Sequence, residues 1–207
     1  MAQPFRVPPT KSNLLDLQRR TAFLEQGYDL LERKRELLTR LVYERLDEYR
    51  DLRRQARQRL GAAYRSLAIT QLRVGTRMLQ QAGLGLEPAL SVRVLPRSSL
   101  GVQYPSVKVE RRDLQPVSLL WTDSSFDDTR AQMADLAAIL ARLGEAENVL
   151  RRLLMEQRRT QKRVNALRYN VIPRYKATIA YVRSQLEEDE RNTLFQIQRL
   201  REQGTAS

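Results

Sequence analysis

The chain has 207 residues, enough for one domain or little more. Charged residues make up 29% and hydrophobic ones 42%, and 37 basic against 24 acidic side chains give +13; all but five of the basic residues are arginine. There is no Cys and no His, which excludes disulfides, zinc fingers, thiolate chemistry and any His-based triad or metal site. The longest apolar run, Leu136 to Ala141, is far too short to span a bilayer. The start of the chain lacks the apolar core of a signal peptide, so the expected location is cytoplasmic.

The first element expected is a helix over 10–82, after a tail at 1–9. The stretch has no Pro and only Gly27, Gly61 and Gly75. Steps of three and four run Leu14, Leu17, Thr21, Leu24, Tyr28, Leu31, Arg35, Leu38, Val42, Leu46 and on through Leu60 to Leu67. The mean step, about 3.5 residues, describes a narrow coiled-coil seam. Thr10 or Ser12 can cap its start, and Gly83 or Gly85 can stop it. Gly83-Leu-Gly-Leu-Glu-Pro is not a phosphate loop, because no Lys follows and Pro88 forbids the helix such a loop needs.

The middle, 83–124, is a head of different character. Seven of the sixteen Gly and Pro residues fall between 83 and 116, and charge sums to zero over 81–127, with five basic and five acidic groups. Leu90 to Val94 and Val107 to Glu110 alternate as strands do. The expectation is one small hairpin with Pro96 to Pro105 as its loop and Val117 to Trp121 packed beneath it. A lone hairpin is marginal in water and has to lean on the helices or on another protein.

A second helical arm is expected over 125–203, before a tail at 204–207. Its seam runs from Met133 through Leu140, Leu150, Leu153, Thr160, Val164, Leu167, Val171, Tyr175, Ile179, Val182 and Leu186 to Leu194 and Ile197. Neither arm can persist alone with so thin a stripe, and the short middle lets them pair antiparallel. The fold class is therefore all-α dominated: a long antiparallel two-helix coiled coil with a small β-hairpin head. Pro173 falls inside the second arm, where it removes a hydrogen bond and crowds the preceding turn. The seam continues in register beyond it, so a bent, continuous helix is expected.

Basic clusters at Arg33-Lys34-Arg35, Arg50 to Arg59, Arg151-Arg152 and Arg158 to Arg163 raise nucleic acid as a partner. The arginines lie all round both helices, however, and acids alternate with them at helical spacing. A solvated face or a protein contact surface is the better reading. A basic module lying on a membrane is the other alternative, but its apolar stripe would be used up by the partner helix. The run Glu187 to Glu190 points around a helix and cannot converge on one metal. No nucleophile, acid/base pair or cofactor loop is visible, so neither catalytic residue nor cofactor is expected.

Three stretches carry a family likeness: Pro9-Thr10-Lys11-Ser12-Asn13-Leu14-Leu15; Gly27-Tyr28-Asp29-Leu30-Leu31-Glu32-Arg33-Lys34-Arg35; and Arg163-Val164-Asn165-Ala166-Leu167 followed by Val171-Ile172-Pro173-Arg174 and Lys176-Ala177-Thr178-Ile179. In these the chain resembles the family of D subunits of V-type and A-type rotary ATPases, with Glu32 where Lys is usual and Arg168 where Glu is usual. The resemblance implies a non-catalytic central rotor shaft. Its helices would turn inside the hexamer of catalytic and non-catalytic subunits (A and B). Its head would hold the stalk component F and the membrane-side adaptor (d or C) above the proteolipid ring, coupling ATP synthesis or hydrolysis to proton or sodium movement. On that reading Arg33, Lys34, Arg35, Arg163, Arg174 and Lys176 face the hexamer and Pro173 sets a bend. Leu31, Leu38, Val164, Leu167 and Val171 form the seam near it. No nucleic acid and no direct membrane insertion are expected.

Overall fold

The computed structural model describes residues 5–114 and 123–204. Helix α1 spans Lys11–Val74 and α2 Thr76–Leu84; strands β1 and β2 are Leu90–Ser99 and Val102–Arg111; α3 is Ser124–Ala166, followed by a π-helical turn at Leu167–Val171 and by α4, Ile172–Gly204. The architecture is the expected one: two long helical arms and one small antiparallel sheet. The expected packing of Val117 to Trp121 lies outside the described residues.

Two compact units divide the chain, one from residues up to Leu37 and from Arg158 onward, the other Leu38–Gln157. In the first, α1 and α4 run antiparallel, since Lys11 meets Glu190 (2.8 Å) and Glu25 meets Lys176 (2.8 Å). The interior is narrow: Leu17, Thr21, Thr160, Val164, Thr178 and Val182 are buried. Thr10 is the cap that α1 uses, its Oγ1 accepting the Asn13 N–H (3.2 Å).

In the second unit α1 and α3 are again antiparallel. Arg59 reaches Asp135 (3.6 Å), and the hydroxyls of Ser66 and Thr129 lie 2.9 Å apart. The seam continues there in hydroxyls: Thr70 donates to the Ser125 carbonyl (2.8 Å) and sits 2.8 Å from Thr129 Oγ1. The sheet packs along the helices: Val102 and Tyr104 join Leu38, Leu41, Val42, Val149 and Leu153 in one apolar cluster. Arg152 donates to the Gln103 carbonyl (2.8 Å) and Arg111 pairs with Asp135 (2.7 Å). The hairpin thus leans on the helices.

Three features depart from the sequence expectation. The first arm is not unbroken. Gly75 takes φ +86°, leaving the helix for one residue; its N–H closes α1 on Gln71 (3.0 Å) and its carbonyl accepts from Leu79 (3.1 Å). The region from Pro96 to Pro105 is not a loop. The strands pair without interruption, Leu90 with Arg111 through Ser99 with Val102, and Pro96 faces Pro105. Pairs exchanging hydrogen bonds alternate with pairs that do not. The Arg112 N–H to Ala89 carbonyl bond (3.0 Å) fixes the parity and makes Pro96–Pro105 a non-bonded pair. Their missing N–H groups would have pointed outward, so the ladder loses nothing. The true loop is Leu100-Gly101, both at positive φ (51° and 77°), the signature of a type I′ hairpin turn. Finally, Pro173 follows a π-helical turn, with only Ile172 between them.

Candidate functional site

Pro173 has no N–H to offer and its ring crowds the carbonyl four residues back. The chain answers by widening one turn: the Ile172 N–H bonds the Leu167 carbonyl, five residues back. Helical structure is unbroken from Ser124 to Gly204 through this turn. The spacing of the seam does not announce it: three steps of four run from Leu167 to Val171, Tyr175 and Ile179, but Val182, Leu186, Glu190 and Leu194 step the same way in ordinary α-helix. No residue of the turn is buried, and Arg168, Tyr169 and Asn170 are exposed.

The predicted basic residues take different positions. Arg33 and Arg163 are exposed. Lys176 is exposed and paired with Glu25. Lys34 and Arg35 are half-buried. Arg35 pairs with Glu32 and donates to Gln161 Oε1 (3.3 Å), and Gln161 donates to Asn165 (2.8 Å). Glu32 is therefore the partner of Arg35. Arg174 is half-buried, its guanidinium 4.4 Å from the centre of the Phe5 ring. Of the predicted seam, Leu38 and Val164 are buried, while Leu31, Leu167 and Val171 are half-buried.

Elsewhere the basic surface is laced with acids on the same helix. Arg20–Asp16, Arg40–Glu44, Arg45–Glu48, Arg54–Asp51 and Arg151–Glu147 pair at three or four residues' spacing. Glu48, as a hydrogen-bond partner, holds the Arg45 guanidinium in its charged form more firmly than usual. Glu190 does the same for the Lys11 ammonium, so the acidic run reaches the opposite arm. The Arg73 guanidinium, with the Ser124 N–H behind it, keeps the Asp123 carboxyl below the usual carboxylate range.

Sequence reading missed Phe5, Arg152 and the threonine layer of Thr70 and Thr129, though it placed Thr21 and Thr160 on the seams. Phe5 stood in a segment taken as a tail. Arg152 was one arginine among many. Thr70 and Thr129 sit one step beyond the ends of the traced seams, where a hydroxyl reads as the end of an apolar stripe. Among the described residues no group of three His, Cys, Asp or Glu could hold a metal ion, and no helix is long and apolar enough to cross a membrane.

Residues 13–202 match the family model for ATP synthase D subunits. Among individual relatives of that description, the chain is 34% identical over 197 residues to the V-type ATP synthase protein of Thermotoga neapolitana, covering 95% of this chain and 97% of the relative. It is 34% and 32% identical, each over 205 residues, to the A-type ATP synthase D subunits of Thermococcus gammatolerans and Pyrococcus furiosus; each match covers 97% of this chain and 96% of the relative.

Proposed function

Because this chain belongs to the family of ATP synthase D subunits, and so is one component of a V/A-type ATP synthase, we propose that it is the central rotor shaft of that complex. It turns inside the hexamer of A and B subunits and performs no catalysis itself. Its head holds the stalk component F and the d or C adaptor above the proteolipid ring. It transmits torque between ATP synthesis or hydrolysis and the movement of protons or sodium ions, as a peripheral component on the cytoplasmic side.

The observation that carries this reading is how each helical arm spends its side chains. Leu17, Leu38, Leu153, Val164 and Val182 go into the narrow interior with a set of threonines, while the outer face carries, beside exposed apolar groups such as Phe23 and Leu72, many arginines, several of them paired with acids on the same helix. Such a surface makes weak, screened, exchangeable contacts, which suits a part that must move past its neighbours. Pro173 and its π-turn break the regularity of one helix, so that equivalent ring positions meet different faces and favour different nucleotide states. Of the three exposed members of the predicted set, Lys176 is paired with Glu25, so Arg33 and Arg163 are the first candidates to touch the ring.

The chain contains no cysteine, so an introduced one is unique. A Cys at position 33 or 163, paired with cysteines on the inner loops of cognate A or B subunits, is expected to crosslink under oxidation. ATP hydrolysis should stop, and reduction should restore it. A crosslinked complex that continues at full rate is incompatible with rotation of this chain inside the ring. Tight binding of a labelled DNA duplex by the chain alone, falling steeply with salt, would favour the nucleic-acid alternative.

A further inference from the structure

Phe5 lies outside every helix, yet its N–H and its ring make three contacts with one turn of α4. Its N–H donates to Thr178 Oγ1 (2.9 Å). Its ring meets the Tyr175 ring edge-on, with centroids 5.1 Å apart and planes at 66°. The Arg174 guanidinium lies over the ring, 4.4 Å from its centre. Thr178 is fully buried and donates its own hydroxyl proton to the Arg174 carbonyl (2.7 Å). The Phe5 N–H therefore completes the hydrogen bonding of a side chain that water does not reach.

The other end of the segment is tethered as well. The Pro8 carbonyl accepts from the Asn13 side chain (2.9 Å) and Thr10 caps α1. Residues 5–10 thus run from the first turn of α1 to the turn of α4 that follows the π-turn and Pro173. That turn needs support. No residue of the π-turn is fully buried, Pro173 gives no hydrogen bond, and a helical turn beside such a defect is locally weak. A T-shaped aromatic pair, a cation over a ring and a buried hydrogen bond all act on residues 174, 175 and 178.

We propose that the N-terminal segment is a strap, with Phe5 as a positioning residue that locks the helical turn after Pro173 and sets the direction in which Arg174 and Tyr175 are presented. The surface around the π-turn is then a composite of α4 and the chain's own N-terminal segment, and what meets Arg174 meets Phe5 with it. This assignment concerns the free chain and stands whether or not the chain turns inside a ring.

The test is amide hydrogen exchange on the full-length chain. Phe5→Ala is expected to speed exchange of the amides at 174–179 at least tenfold, leaving α3 amides within about twofold of the native chain. Thr178→Val, which removes the acceptor and keeps the shape, should act at the same amides. Phe5→Tyr, which keeps the ring, should restore native protection. Unchanged exchange at 174–179 in Phe5→Ala overturns the proposal. So does an equal acceleration along α3, which would make Phe5 a general stability residue, and so does failure of Phe5→Tyr to rescue.

Discussion

Leu38 and Leu140 have the same standing in the sequence, as leucines on the helical stripe, and opposite standing in the fold. Leu38 has no exposed surface and is packed with Val102, Val149 and Leu153, whereas Leu140 is 46% exposed. Removing a fully buried leucine costs its transfer energy plus that of the cavity, about 2–5 kcal/mol. Leu38→Ala should lose that much in urea titration, and Leu140→Ala less than about 1 kcal/mol. Comparable losses would mean that the stripe, not the cluster under the hairpin, holds this unit. The stripe was legible because apolar spacing fixes which face turns inward. How deeply each member is buried was not, because that depends on the hairpin, whose placement no helical period encodes. Charge behaves in the same local way. The folded-state value of the Asp123 carboxyl lies below the ordinary 3.8, through Arg73 first and the Ser124 N–H second. Its contribution is complete above the unfolded value and is lost as pH falls through the folded one. Acidification below about pH 4 should therefore loosen the start of α3, read as faster amide exchange at Ser124–Phe126. Asp123→Asn should show the loosening already at neutral pH; unchanged exchange would mean that the 3.0 Å pair with Arg73 contributes nothing.

At the scale of elements, the prolines misled and the geometry explains why. Pro96 and Pro105 read as the limits of a loop, yet each occupies a strand position whose N–H points away from its partner. Parity cannot be known before the register, and the register is set by a turn that the sequence disguises. Leu100-Gly101 supplies the two positive φ values of a type I′ turn with a leucine in the first place, where asparagine is the favoured residue. Leu100→Asn should relieve that strain and raise the hairpin's stability by about 0.5–1 kcal/mol, seen as a higher urea midpoint; a lower midpoint would show that the leucine's packing outweighs its backbone strain. Pro173 lies within continuous helical structure, but the widened turn ahead of it is not foreseen by the sequence. The seam's spacing could not reveal it, because the same three four-residue steps from Val182 to Leu194 lie in regular α-helix. Pro173→Ala returns an N–H and removes the ring clash. The π-turn should then relax to ordinary helix, with thermal stability raised and coupling weakened in the assembled complex. Unchanged coupling would remove this turn from the mechanism.

For the whole molecule the decisive quantity is the excess of +13, which the first 80 residues and residues 128–207 carry while the head is neutral. Most ion pairs among the described residues have both partners exposed or nearly so, and about half lie within one helix, so each contributes at most about 1 kcal/mol. The fold is held by the buried seam, and the uncompensated charge acts against it by self-repulsion. Salt then has two effects of opposite sign. Screening the chain's own repulsion should leave its melting temperature unchanged or slightly higher between 50 and 500 mM salt (Debye length about 14 to 4 Å). Screening its attraction to acidic partners should slow its association with the cognate ring over the same range, chiefly through the on-rate. The two measurements together separate the roles of charge. If stability and association both fall with salt, the surface ion pairs are holding the helices together, and they are not available as the exchangeable contacts of a turning shaft. If only association falls, the arginine surface serves the partner and not the fold, which is the division of labour that a basic exterior over a self-contained seam requires.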